Sequence, residues 1–406
     1  MSRIDAERSL VRDLARSIAE IAHDSRMDGI EQRWRDVNAL RKPDRAPVWC
    51  RPVGCWKEIL PPDSLFCHDP YLRGLEYGFR QTLFKRELDD DNPVEKRFTV
   101  SAVFRREPAN TWGVDIQRTH SGVTDGAWAY DPPLRTADDF DRLHLPSFTY
   151  DEEKTRENLD RASDLLGDIM PVELVAGSPL GGTLGNPAAD LRGLEQIMVD
   201  MIADPALLHR LMAYLRDATL RGMDQVESTG LLTPNNSGPM TCSDPIGQPD
   251  ADGRYTFANL WGMANSQEFD QVSPTMWEEF CLEYQKPIFA RFGLSGYGCC
   301  ENLTHKIDGV LSIPNLRIFV CSAWTDLDLV VDKAADRCCI MWRQKASDVV
   351  MPDDETPIRK DLQEGTRRLQ GCSYQIVLRE LQTLAGHPDR LHVWTQCAKE
   401  AAARYA

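Results

Sequence analysis

The chain has no uninterrupted apolar stretch near the roughly 20 residues that a bilayer-spanning helix needs. It opens on Ser2-Arg3-Ile4-Asp5-Ala6-Glu7, which is charged and lacks the apolar core of a secretory signal, so a cytoplasmic protein is expected. Positive charge is also short. With 47 Lys and Arg against 63 Asp and Glu, the net charge is -16, which argues against a nucleic-acid backbone or an anionic membrane face as partner. No Cys-x-x-Cys pair marks a strong zinc site. The glycine-rich stretch 177–183 has neither the lysine of a P-loop nor Rossmann spacing and reads as a loop turning near a pocket. The acidic run Asp89-Asp90-Asp91 lacks the alternating ligands of an EF-hand and reads as a solvated loop.

What is present is a long chain with a large core. Its 406 residues are 42% hydrophobic, enough for one large domain with additions or for two domains. Twelve cysteines in a long chain without an export signal are expected to be mostly reduced thiols. Residues 2–42 read as helical, with Leu10, Leu14, Ile18 and Ile21 at helical spacing and Pro43 as the stop, and are expected to pack outside the main core. Short apolar runs follow at 46–51, 98–104, 171–176, 231–233, 292–297, 316–321, 338–341 and 374–378. Helical stretches lie between many of them, among them 71–84, 191–224 with a restart at Asp204-Pro205, 274–289, 326–335 and 358–369. Eight strands alternating with helices predict an α/β fold, a (β/α)8 TIM-type barrel over residues 46–406 with an N-terminal helical extension over 1–45.

In such a barrel the residues at the C-terminal strand ends form one ring. That ring holds Arg51, Arg105, Ser178, Asn235 and Asn236, then Cys299-Cys300-Glu301, Cys321 with Ser322 and Trp324, Arg343, and Arg379 with Glu380. Several arginines facing one cleft suggest an anionic substrate or cofactor, because guanidinium grips carboxylate and phosphate with two prongs. The centre of interest is Tyr297-Gly298-Cys299-Cys300-Glu301, where two thiols and a carboxylate follow an apolar run and suit a thiophilic metal or a reactive sulfur. Consecutive strand residues face opposite ways, so Cys299 is expected to serve the site and Cys300 to pack or support it, unless a bulge at Gly298 intervenes.

Three stretches carry a resemblance: Pro47-Val48-Trp49-Cys50-Arg51-Pro52-Val53-Gly54, Trp261-Gly262-Met263-Ala264-Asn265-Ser266-Gln267-Glu268, and Tyr297-Gly298-Cys299-Cys300-Glu301. From about Ala46 onward the chain resembles the uroporphyrinogen decarboxylase superfamily, which includes the decarboxylase and zinc-dependent methyltransferases acting between corrinoids, thiols and methylated substrates. Arg51 and Gly54 match the first substrate loop of the decarboxylase, but Cys55 stands where its second arginine would be. Cys299 matches a zinc-ligand cysteine of the methyltransferases, while Tyr297 replaces their histidine and no cysteine lies at the exit of the last strand.

The resemblance implies an enzyme on the methyltransferase side, moving a methyl group between a small methylated substrate and a corrinoid protein or thiol. Zinc is the implied cofactor and a homodimer a compatible assembly. The candidate metal ligands are Cys299, Cys300 and Cys321, with Glu301, Glu380 or His120 to complete the set. Glu268 and Glu301 are the candidate catalytic carboxylates, with Glu268 assigned to proton transfer or substrate binding. Arg51, Asn235, Trp324, Arg343 and Glu380 are the candidate substrate contacts. A decarboxylase-type lyase acting on an anionic aromatic or pyrrolic acid is the alternative, and a non-catalytic ligand-binding barrel the next.

Overall fold

A computed structural model describes residues 2–120, 122 and 128–406. Its strands are β1 (Val48–Pro52), β2 (Phe98–Ser101), β3 (Phe104–Glu107), β4 (Gln117–His120), β5 (Trp128–Asp131), β6 (Ser147–Tyr150), β7 (Val172–Val175), β8 (Trp261–Ala264), β9 (Leu294–Tyr297), β10 (Leu316–Cys321), β11 (Cys339–Trp342) and β12 (Tyr374–Leu381). Six of them form one parallel sheet in the order β1-β12-β11-β10-β9-β8. β2 and β7 form a separate parallel pair, and β3–β6 and β4–β5 are antiparallel pairs. The architecture is a curled half-barrel, which corrects the closed eight-stranded barrel expected from the sequence.

Both breaks in the ring have a physical cause. On the free edge of β1, the Val48 and Cys50 N–H groups donate to the carboxylates of Asp91 and Asp90, at 2.7 and 2.8 Å. Lys85 donates to the Cys50 carbonyl and pairs with Asp90. A neighbouring strand would need those same backbone groups, so the side chains of residues 85–91 hold the place where β2 would have paired. Asp90 and Asp91, 5% and 2% exposed, are therefore buried bracing, and the expectation of a solvated loop holds only for the exposed Asp89.

The second break lies between β7 and β8. Residues 231–233, expected as a strand, are not one, because Pro234 removes a donor and side chains take over the ladder. Thr233 exchanges two 3.1 Å bonds with the Ala176 backbone, one of them through its hydroxyl. The Asn235 amide accepts from Trp261 N at 2.8 Å and donates to Trp261 O at 2.9 Å. The strand that the sequence hid is β8, four residues that are not among the eight apolar runs.

Alternate residues of the sheet divide between two cores. Val48, Cys50, Phe319, Ile340, Trp342, Ile376 and Leu378 pack outward among helices such as Leu327–Ala334, Thr356–Arg368 and Arg390–Arg404. Trp49, Ile318, Val320, Cys339, Met341 and Val377 face inward, and the helix Arg26–Asn38 covers them with Met27, Ile30, Trp34 and Val37. The expected packing outside the main core holds for the first helix, Arg3–Ala22, which lies on Leu72, Phe79 and Leu165. It fails for the second, whose Asn38 accepts from Gln375 on β12 and donates to the Met240 and Cys242 carbonyls. Trp34, fully buried, donates from its indole to the Asp91 carbonyl at 2.7 Å. Trp34→Phe strands that acceptor and is expected to lower unfolding stability by about 2 kcal/mol in urea titration. No described helix is long and apolar enough to cross a membrane.

Candidate functional site

The site is built where β9, β11, β12 and β1 end. β9 stops at Tyr297 because Gly298 adopts φ +114, a backbone conformation open to glycine and costly for other residues. A Cβ there would also meet the Val320 Cβ at 2.9 Å. This turn cancels the strand alternation, so Cys299 and Cys300 do not face opposite ways. Their sulfurs lie 3.6 Å apart on one side of the loop. Glu301, 3% exposed, holds the loop from behind: its carboxylate accepts from Ser266 N at 2.8 Å and Cys299 N at 2.9 Å.

β12 supplies the other wall. Cys50 pairs with Leu378 and Pro52 with Leu381, so Arg51 stands opposite two residues, Arg379 and Glu380, in a bulge. Glu380 sits at φ +64, in the left-handed region that a glutamate rarely enters. Strict alternation would have sent Glu380 outward with Leu378, and the bulge turns it in. Arg343, 2% exposed, then donates from Nη1 to Glu380 Oε1 at 2.9 Å and to the Cys299 carbonyl at 2.7 Å, and reaches Cys299 Sγ at 3.8 Å. Cys300 Sγ lies 3.2 Å from Glu380 Oε1 and 3.6 Å from Cys299 Sγ, two acceptors that share its one thiol proton.

This surrounding splits the two thiols. The Cys300 hydrogen bond holds Cys299 down to about 5, against the effect of burial, with the Arg343 charge and hydrogen bond and the Arg379 charge adding to it. Cys300 is pushed up by that same hydrogen bond, by burial and by Glu380. The two opposite shifts describe one event: the pair releases a first proton easily and retains the second. All ten remaining cysteines are pushed up, with burial the leading cause in each. A thiolate near neutral pH is thus particular to Cys299.

Glu268 lies close enough to Cys299 to feel its charge. Burial is the main cause that pushes its carboxyl up. Oε1 accepts from Asn186 at 2.6 Å, whereas Oε2 is buried without a partner among the described residues. A carboxyl raised on folding contributes stability that is full below its unfolded value and lost as pH rises through the folded one. Glu268→Gln is therefore expected to raise the melting temperature by roughly 1–3 °C at pH 7, a gain that shrinks toward pH 4. Melting curves across that range check the sign.

The other sequence-predicted residues fall in several places. Cys321 is fully buried on the outward face, its thiol directed at the Ser322 and Thr325 carbonyls, and it does not join the pair. Trp324 is 57% exposed, with Lys345 5.1 Å from its ring centre. The amide of Asn235 is spent on Trp261, and the residue lines a separate cavity of about 790 Å³ along β2 and β7. His120 is exposed on β4, outside the cysteine group. Arg51 is exposed and makes no ion pair among the described residues. Arg379, part of the expected ring but not one of the candidate site residues, shares one face of β12 with Gln375 and Val377 and stands beside Glu380.

Among the described residues, one group has metal-ligand proximity: Cys299, Cys300 and Glu380, with donor atoms within 4.8 Å of one another. Two sulfurs bound tetrahedrally to zinc at about 2.3 Å would be about 3.8 Å apart, close to the 3.6 Å here. Three such donors fit zinc, and the neighbouring arginines offset the negative donor set. Cys321 and His120 do not belong to that set.

No protein-family model matches the sequence, and no curated protein matches it. Among solved structures, a methyltransferase from Methanosarcina mazei is similar. The two share a TM-score of 0.53 and 10% sequence identity, over 91% of this chain and 98% of that one. At that identity the likeness speaks for the fold.

Proposed function

We propose that the chain is a metal-dependent methyltransferase of the uroporphyrinogen decarboxylase superfamily, moving a methyl group between a small methylated substrate and a thiol or the corrinoid of a partner protein. The observation that carries this reading is the trio Cys299, Cys300 and Glu380 at the open end of parallel strands. Cys299, Cys300 and Glu380 would hold zinc there, and the ion would supply a Lewis acid that keeps a thiol deprotonated or polarises the leaving atom of a methyl donor.

The chain's own residues do the rest. Arg343 ties Glu380 to the Cys299 carbonyl and so fixes the spacing of the donors. Glu301 sets the loop by gripping two backbone amides, a positioning role that replaces the catalytic one expected for it. Glu268, favoured in its protonated form by burial, gives a proton to the leaving atom as the methyl departs, and Asn186 orients it.

Protein purified without added zinc is expected to contain about one equivalent of it and to demethylate methylcobalamin in the presence of a small thiol, followed by the cobalamin spectrum. One observation favours a second reading, a carboxy-lyase for an anionic aromatic or pyrrolic acid: Arg51 and Arg379 have no ion-pair partner among the described residues. Metal-free protein that releases carbon dioxide from such an acid, with no methyl transfer, would decide for the lyase.

A further inference from the structure

We infer that Cys299 and Cys300 form a redox modification site, a dithiol that a hydroperoxide closes to a disulfide between chain neighbours and that a small thiol reopens. The two sulfurs lie 3.6 Å apart, too close for another atom to stand between them. Both side chains are partly open to solvent, whereas nine of the other ten cysteines are buried. The tenth, Cys372, precedes β12 and so lies at the opposite end of that strand from Glu380. Oxidation of a thiol follows its exposure, and the change stays reversible when a second thiol stands ready to displace the added oxygen. Among the described residues, Cys299 and Cys300 are the pair that meets both conditions.

The neighbours of the two sulfurs divide the steps between them. Arg343 Nη1 stands 3.8 Å from Cys299 Sγ and can donate to an oxygen added there, so Cys299 meets the peroxide. Its sulfur attacks one oxygen of hydrogen peroxide: an S–O bond forms, the O–O bond breaks, and the departing hydroxide takes the thiol proton and leaves as water. Cys300 then attacks the oxidised sulfur, so that the S–S bond forms and the S–O bond breaks. Glu380 Oε1, 3.2 Å from Cys300 Sγ, takes up that thiol's proton and passes it to the departing hydroxide, which becomes the second water. The two cysteines lose two electrons and the peroxide gains them. Cα atoms of chain neighbours are about 3.8 Å apart, below the roughly 4.4–6.8 Å of ordinary disulfides, so the bridge is easily reduced. Labile bridges of this kind are the regulatory ones. Closing it also twists the peptide whose carbonyl Arg343 holds at 2.7 Å, and it ties up two of the three donors of the metal group.

The loss of zinc on closure rests on the function proposed above, whereas the redox pair does not. Purified protein is treated with a few equivalents of hydrogen peroxide, free thiols are capped with N-ethylmaleimide, and the peptide carrying both cysteines is weighed by mass spectrometry. In wild type that peptide is expected to be uncapped and lighter by two hydrogens, and dithiothreitol should restore both thiols. Cys300→Ser removes the second thiol, so Cys299 is expected to proceed to sulfinic acid, with recovery by dithiothreitol at least about tenfold lower than in wild type. Sulfinic acid at Cys299 in wild type without the bridged peptide, a bridge from either residue to another cysteine, or equal recovery in Cys300→Ser would overturn the redox pair. Two thiols still open to capping under peroxide that oxidises Cys372 would overturn it as well. Zinc lost on oxidation and regained on reduction supports the pair together with the metal site. A bridge that forms in protein taking up no zinc keeps the redox pair and rejects the metal-dependent reading.

Discussion

Serine in place of Cys299 is expected to lower methyl transfer by about a thousandfold, because a hydroxyl stays protonated where this thiol does not and is a poor zinc ligand. The fold should survive, since the Cys299 side chain is only partly buried and its backbone N–H and carbonyl remain held by Glu301 and Arg343. Serine at Cys300 is expected to behave differently. Its hydroxyl still has one proton to donate, to Cys299 or to Glu380, the two neighbours of the Cys300 sulfur. Reactivity of Cys299 toward iodoacetamide should therefore persist in metal-free Cys300→Ser, while zinc content falls in both variants. Metal analysis, turnover and melting temperature measured on the same preparations separate the roles. Full turnover in Cys299→Ser would remove the thiolate from the mechanism.

The sequence carried the strand ends well and the breaks between strands poorly. Apolar runs at β1 and β9 to β12 stood out because burial on both faces makes them nearly continuous, whereas β2 and β7 stood out despite exposed Thr99, Ser101 and Glu173. β8 did not, since Trp261-Gly262-Met263-Ala264 is four residues long with a glycine inside. That glycine is required by packing, because a Cβ at Gly262 would meet the Phe292 ring at 2.4 Å. Residues 231–233 looked like a strand by composition, and their neighbours Pro234 and Asn235 decided otherwise. Asp90 and Asp91 read as solvent-facing because acidic runs usually are, and no local signal shows that β1 needs two acceptors at its edge. At the site, alternation put Arg51, Arg343 and Arg379 on the inner face. It failed for Cys300 and Glu380, because Gly298 and the β12 bulge each break the two-residue period. A glycine at a strand end is a readable hint of the first. A left-handed glutamate leaves no trace of the second.

Arg343→Gln is expected to move the ionisation of Cys299 upward rather than simply to disable it. Arg343 favours the Cys299 thiolate by its charge and by a hydrogen bond, so its loss raises the thiol from about 5 toward the ordinary range. The sign follows from linkage: the depressed Cys299 value contributes stability that is full above the unfolded thiol range and lost as pH falls through about 5, and the variant loses part of it. Glu380 also loses its cation, but 35% of its side chain is exposed, so water limits the penalty to on the order of 1–2 kcal/mol. Reactivity separates two opposing effects. A higher ionisation point leaves less thiolate at low pH, but each thiolate is more nucleophilic, by about 0.4–0.5 log units in rate per unit of pKa. For a rise of about two units, the metal-free variant should react with iodoacetamide more slowly than wild type below about pH 6 and several-fold faster above about pH 8. The two pH profiles must cross. Parallel profiles with a common midpoint would mean that Arg343 only holds the loop in place, and that the Cys300 hydrogen bond, the leading cause of the low Cys299 value, sustains the thiolate without it.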